Sequence, residues 1–229
     1  DEETWVAAIA ERVASEAVGV VWCVDDGIAD VARGEVLKVW GRDSLTEELR
    51  PEGLRVATFQ LSATSFFQTN TPGAEVLYAT IGEAMGRGER LLDLYCGTGS
   101  IGIALADRFS EVVGIEEVEA AVVDAQANAA ANGVVATYRC AKVEDALDSL
   151  GGGAHIVVDP PRAGLHPKVA KHLAKIDAES LVYVTCKAGS LGRDGAFLAE
   201  GGWRLKELWI VDLFPQTGHI ELVGRFERS

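Results

Sequence analysis

Positive charge is what this sequence has least of. Its 229 residues carry 21 Lys and Arg against 35 Asp and Glu, a formal net charge of −14. Phosphate binding draws its strength from cationic side chains, so this balance excludes a protein that simply coats nucleic acid. A nucleic-acid partner would have to be met by a local basic patch or by a separate binding module. Long apolar runs are lacking too: no stretch approaches the roughly 20 residues of a bilayer-spanning helix, and the acidic opening DEETW is not a secretory signal. The expectation is therefore a cytoplasmic protein with no membrane partner. Only four cysteines occur (Cys23, Cys96, Cys140 and Cys186), with no C-x-x-C pair and no Cys/His cluster. Neither zinc nor an iron–sulfur cluster then has a ligand set, and most of the four read as reduced, buried thiols. Because the chain opens at Asp1 rather than at a methionine, it reads as part of something longer.

What is present is apolar mass, 48% of residues, enough for one sizeable core and a smaller lobe. Helical spacing over 3–17, a strand at 18–24 running into an Asp25-Asp26-Gly27 turn, and strands at 34–40 and 54–60 predict a small α+β lobe spanning 1–61, whose role could include touching a substrate. From residue 62 to 229 the pattern changes to alternating strands and helices, the signature of βαβ units and a parallel sheet. Strands are predicted at 90–96, 111–116, 136–140, 155–159, 180–186, 203–212 and 218–227, and helices near 72–85, 100–109, 118–131, 144–150, 167–175 and 190–199. The last two strands, joined through FPQTG, are close enough in sequence to pair antiparallel. The predicted fold class is α/β: a Rossmann-like seven-stranded sheet behind the small N-terminal lobe.

Directly after the strand RLLDLYC comes GTGSIG, in which Gly97, Gly99 and Gly102 satisfy G-x-G-x-x-G. Glycine suits a backbone that must turn sharply and approach a ligand closely. Glu116 lies nineteen residues beyond Gly97, at the end of the next strand, where a carboxylate can accept hydrogen bonds from ribose hydroxyls. That spacing fits NAD as well as S-adenosylmethionine. Asp93, just ahead of the turn, suits a cationic amino-acid ligand better than a pyrophosphate, which favours adenosylmethionine and its product S-adenosylhomocysteine. Glycines serving only tight helix–strand packing would leave the accompanying acid unexplained.

A second loop, Asp159-Pro160-Pro161-Arg162-Ala163-Gly164, follows the fourth sheet strand at the edge where open α/β sheets bind ligands. The prolines hold its carboxylate and carbonyls rigidly, although a stiff turn alone would also explain them. Cys186 ends the fifth strand at the same edge. A lone cysteine is more often a buried structural thiol, but this position at the strand's mouth, before KAGS, favours a nucleophile. Carbon 5 of uracil attacks a methyl donor poorly, whereas a thiolate added at carbon 6 turns the ring into an enolate whose carbon 5 can attack. A base must afterwards remove the hydrogen left on carbon 5, and Glu221 in GHIELV is the candidate. From periodicity alone Glu221 reads as a surface carboxylate on an edge strand, and His219 merely flanks the site.

Together SFFQTN (65–70), DLYCGTGSIG (93–102), DPPRAGL (159–165), YVTC (183–186) and DLFPQTGHIEL (212–222) resemble the RNA 5-methyluridine methyltransferase family. The resemblance runs from about residue 60 onward, in order and at compatible spacing. It implies a seven-stranded methyltransferase sheet in which Gln68, Tyr95, Glu116 and Asp159 contact adenosylmethionine or the base, and Ser100 takes a cofactor position where many members have Asn. It also implies Cys186 as nucleophile and Glu221 as proton acceptor, acting on an RNA, with NTPGAEVLY and FPQT resembling the branch that modifies the T-loop uridine of transfer RNA. Three departures stand out. Thr185-Cys186-Lys187-Ala188 replaces the usual S-C-N-P, an N-terminal β-barrel RNA-binding module is missing from the sequence, and so are the cysteines of the iron–sulfur subgroup. The alternatives are a methyltransferase acting on cytosine, protein or a small molecule, or a noncatalytic RNA-binding relative. Cytosine-5 enzymes resemble YVTC but pair it with a second cysteine where this chain has Pro161-Arg162.

Overall fold

The structure is a computed structural model that describes residues 2–24, 35–63 and 65–228. Helix α1 (Glu2–Val13) leads into an antiparallel pair, β1 (Gly19–Val24) and β2 (Glu35–Gly41), in register from Gly19 opposite Gly41. The predicted turn at 25–27 lies outside the described residues. A second antiparallel pair, β3 (Ser44–Leu49) and β4 (Ala57–Ser62), follows. The prediction missed β3, whose sequence SLTEEL carries two glutamates, and it began β4 three residues early, at Leu54 instead of Ala57.

After β4 the chain alternates: α2 (Thr71–Met85), β5 (Gly88–Leu94), α3 (Ser100–Leu105), β6 (Phe109–Glu116), α4 (Glu119–Ala131), β7 (Thr137–Cys140), α5 (Val143–Ala146), β8 (Ala154–Val158), α6 (Pro167–Leu173), β9 (Ala178–Thr185), α7 (Ala188–Glu200), β10 (Trp203–Val211) and β11 (Glu221–Arg228). The sheet order is β10-β11-β9-β8-β5-β6-β7, with β11 antiparallel to both neighbours and the remaining contacts parallel. This is the predicted α/β sheet of seven strands. The closing pair is not joined by a short turn: nine residues, 212–220, separate β10 from β11, and β11 starts at Glu221 rather than at residue 218.

Successive strand residues point to opposite faces, and the core divides accordingly. On β9, Val182 and Val184 join the cluster under α2, α3 and α4, while Leu181 and Tyr183 join the cluster under α5, α6 and α7. The central strands β8 and β9 are buried on both faces, as helices on both sides of a parallel sheet require. Leu49 and Phe59 belong to the α2-side cluster, so the β3–β4 hairpin shares the main core.

The hairpin's outer edge is held by two asparagines, Asn128 of α4 and Asn132, which caps that helix. Asn128 accepts from Gln60 N at 2.7 Å and donates to Gln60 O at 3.2 Å; Asn132 does the same for Thr58 at 2.9 and 2.7 Å. Four helix residues rise about 6 Å, nearly the ~6.6 Å between alternate strand residues, so side-chain amides spaced i, i+4 stand in for a neighbouring strand.

Burial of the cysteines differs from expectation. Only Cys96 is buried; Cys140 is exposed because it ends the edge strand β7, and Cys23 is half-buried on the two-stranded β1–β2 sheet. All four are free thiols. Among the described residues no helix is long and apolar enough to cross a membrane, and no group of three or more His, Cys, Asp or Glu is arranged to hold a metal ion.

Candidate active site

The chain leaves β5 through three left-handed residues, Tyr95 (φ 65°), Gly97 (φ 52°) and Gly99 (φ 76°). Tyr95 is the costly one, since a residue with a Cβ rarely adopts this conformation. It is held there by the amides of Tyr95 and Cys96, which donate to Ile115 O at 2.9 and 3.1 Å. The two glycines serve different ends. A Cβ on Gly99 would lie 2.6 Å from Tyr138 Oη, whereas a Cβ on Gly97 would project into open space above the turn. Glu116 braces the turn: Oε2 accepts from Gly97 N at 3.1 Å and Oε1 from Val118 N at 2.9 Å. A carboxylate offers about four lone-pair sites, so acceptor capacity remains for two ribose hydroxyls.

Beneath the turn Asp93 is 0% exposed. Its Oδ2 accepts from Gly102 N at 2.9 Å, but among the described residues Oδ1 is buried without a partner, and so is Tyr138 Oη. Burial pushes the Asp93 carboxyl up to about 7; the Gly102 amide opposes this, while Asp159 and Glu116 add to it. Three carboxylates close to one another with no lysine or arginine among the groups acting on Asp93 make a site that a cationic ligand would relieve. An α-ammonium or sulfonium meets that need and a pyrophosphate does not, so these residues fit adenosylmethionine.

Tyr78, buried on α2, reaches the same place. Its hydroxyl lies 2.8 Å from Ser100 Oγ, and Asp159 and Asp93 both act on it. Asp159 follows the last residue of β8 and is half-buried, its carboxyl pushed up to about 6 by burial. Cys186 follows the last residue of β9 and is half-buried; Glu221 opens β11 and is 6% exposed. Because β9 and β11 pair with Thr185 opposite Leu222, one further step along each strand sets Cys186 opposite Glu221. The two-residue repeat that sends Val157, Val184 and Val223 to the α2 face carries Asp159, Cys186 and Glu221 to that face as well. Burial pushes Glu221 up to about 7; Asp159 adds to the rise and Arg162 opposes it.

Of the residues singled out in the sequence, Asp93, Glu116, Asp159 and Glu221 form one electrostatic cluster, with Cys186 across the strand from Glu221. Gly97, Gly99 and Ser100 form its rim. The Tyr95 ring instead packs toward the α5–α7 side, where a cleft of about 560 Å3 is lined by Glu117, Val143, Pro161, His166 and Arg193 among others. Gln68 stands apart: half-buried before α2, it makes no hydrogen bond to these groups among the described residues. His219 is exposed, its ring edge-on to Phe214. Sequence reasoning missed Tyr78, which reads as an ordinary apolar position of α2, and Arg162, which reads as part of a turn. Asn70 was missed as well; it caps α2 and donates to Leu213 O at 2.7 Å, tying the 212–220 connection to the site.

The sheet order, the glycine turn and the acid at the end of the next strand define the class of Rossmann-like methyltransferases. The sequence profile of the tRNA (uracil-5-)-methyltransferase family matches residues 25–227. An uncharacterised RNA methyltransferase of Caldanaerobacter subterraneus subsp. tengcongensis is 42% identical over 220 residues, 94% of this chain and 48% of that protein. The tRNA (uracil(54)-C(5))-methyltransferase of Pyrococcus horikoshii is 38% identical over 209 residues, 91% of this chain and 49% of that one. The structure of the Pyrococcus abyssi tRNA (uracil-54, C5)-methyltransferase in complex with S-adenosyl-L-homocysteine superposes with a TM-score of 0.76 at 32% identity, over 92% of this chain and 51% of that chain. This chain belongs to the tRNA (uracil-5-)-methyltransferase family, and it spans about half the length of the curated relatives it matches.

Proposed function

We propose that this chain is the catalytic part of an enzyme that methylates carbon 5 of a uridine in RNA, with transfer RNA as the substrate. The observation that carries the reading is the β9–β11 register, whose last pair, Thr185 and Leu222, is followed on the two strands by the thiol of Cys186 and the buried carboxyl of Glu221. Asp93, Gly97, Gly99, Ser100, Glu116 and Asp159 would hold adenosylmethionine, which would supply an electrophilic methyl group. Cys186 as thiolate adds to carbon 6, forming the S–C6 bond and moving the C5–C6 pair into an enolate. Carbon 5 is then the nucleophile that accepts the methyl group. Glu221 takes the remaining C5 proton, the C5–C6 double bond re-forms, and the S–C6 bond breaks to release the thiolate. A carboxyl pushed up to about 7 is a much better proton acceptor than an exposed one, and it returns that proton to water easily near neutrality.

RNA in an acidic protein needs a local source of cations. Residues 160–176 contain Arg162, Lys168, Lys171 and Lys175 and no Asp or Glu. Val169, Ala170 and Leu173 face the core, while Lys168, Lys171 and Lys175, at i, i+3 and i+7, are exposed. Among the described residues none of these four cations, nor Lys187 after the nucleophile, forms an ion pair, whereas Arg50, Arg55 and Arg90 do. This exposed basic ridge beginning beside the Asp159 loop supports a polyanionic substrate.

The test is transfer of tritiated methyl to uridine-containing RNA. Cys186→Ala should abolish it, and Glu221→Gln should accumulate a methylated RNA covalently bound to the protein, because addition and transfer precede the lost proton removal. Unchanged turnover by Cys186→Ala would sink the reading.

A further inference from the structure

Three polar residues of α7, Ser190, Arg193 and Asp194, lie at i, i+3 and i+4, on one face of the helix. A helix packed on a sheet ordinarily turns an apolar stripe inward, yet Ser190 is 3% and Asp194 1% exposed. Burying an ionised carboxylate is costly unless it is fully hydrogen-bonded. Asp194 is: Oδ2 accepts from Leu165 N at 2.8 Å and from Tyr183 Oη at 2.6 Å, and Oδ1 accepts from Arg193 Nε and Nη2 at 2.8 Å.

The partners follow a pattern. Ser190 Oγ donates to Arg162 O at 3.0 Å, Arg193 Nη2 donates to Ala163 O at 2.7 Å, and Asp194 takes the amide of Leu165. Three side chains thus grip three backbone positions of the segment that follows Asp159-Pro160-Pro161. Gly164 lies within the grip at φ +82°, and a Cβ there would come within 2.2 Å of Arg193 Nη2 and 2.6 Å of Asp194 Oδ2. The loop backbone is pressed against the helix with no room for a side chain. Asp194 also holds Tyr183 of β9, and α7 begins two residues after Cys186. One carboxylate therefore joins the strand that leads to Cys186 to the loop that carries Asp159 and Arg162.

We infer that Asp194, with Arg193 and Ser190, is a positioning device that fixes the Asp159–Arg162 loop relative to Cys186 and Glu221, so that the base-handling groups keep their spacing during turnover. The inference rests on the methyltransferase reading above. None of the three touches the reacting atoms; they act through Arg162 and Asp159, the charged groups that act on Glu221. A misplacement of about 1 Å is enough to slow a reaction on the order of 100-fold.

The test uses Asp194→Asn, which keeps the size and loses the charge, and Ser190→Ala, which removes a single bond to the loop and spares the buried ion pair. Expected are a fall in kcat on the order of 10- to 100-fold for Asp194→Asn and a smaller one for Ser190→Ala. With Arg162 loosened, the acid limb of the kcat–pH profile should move up by about half a unit in both variants. Amide exchange at residues 163–165 should quicken in both, a readout independent of turnover. Unchanged exchange and an unmoved limb would overturn the inference, as would a loss that merely follows the folded fraction. Wild-type protein that methylates no RNA would instead bring down the functional reading, and loop exchange would still decide the clamp.

Discussion

Glu221→Gln should stabilise the ligand-free protein above neutral pH while halting turnover. The carboxyl is 6% exposed and is raised from 4.5 to about 7 by burial. A folded-state pKa above the unfolded one means that the unfolded chain gives up its proton first. Stability from this group is therefore whole below pH 4.5 and drains away as pH rises toward 7. A rise of about 2.5 units corresponds to about 3 kcal/mol at pH 8 and about 1 kcal/mol at pH 5. A carboxamide in place of this carboxyl cannot ionise, so the variant escapes the loss. Urea denaturation of both proteins at pH 5 and pH 8, without cofactor, should show a stability advantage for the variant that grows by about 2 kcal/mol between the two. An advantage that is the same at both values, or that shrinks, would refute the claim that burial holds this carboxyl ready to accept a proton.

Two more outcomes follow from the geometry. Charge reversal at Lys168 and Lys171 together should weaken RNA binding about 10-fold and flatten its salt dependence by roughly 1 to 2 in log–log slope, measured by filter binding across a salt series, with adenosylhomocysteine affinity unchanged. Gly99→Ala should destabilise the fold by about 1 to 3 kcal/mol, because φ 76° is strained for any Cβ and Tyr138 Oη already occupies the space; calorimetry should also show adenosylhomocysteine binding at least about 10-fold weaker.

The sheet and its glycine turn were legible because each is a local pattern: alternating apolar segments, then G-x-G-x-x-G with an acid nineteen residues on. Register was not. That Cys186 faces Glu221 depends on β11 entering the sheet between β9 and β10, a tertiary choice that no spacing between residues 186 and 221 encodes. The same blindness hid Asp194, which in sequence is an unremarked acid in GRDG and becomes informative only as the inward member of an i, i+3, i+4 polar set. Tyr78 went unnoticed for the opposite reason, since its ring satisfies the apolar pattern of α2 and conceals the hydroxyl that reaches Ser100. The edge of the sheet is illegible for a similar reason: composition reads most of the four cysteines as buried thiols and says nothing about which strand lies outermost, where Cys140 is exposed.

The order in which the strands are made differs from the order in which they lie. Among the described strands β11 is the last in sequence, yet it occupies an interior position of the sheet. A ribosome-bound chain lacking it would leave the backbone N–H and C=O groups of β9 from Leu181 to Thr185 unpaired on that side, an open sheet edge that invites pairing with other chains. Insertion of that single strand closes the edge and brings the buried Glu221 into the sheet.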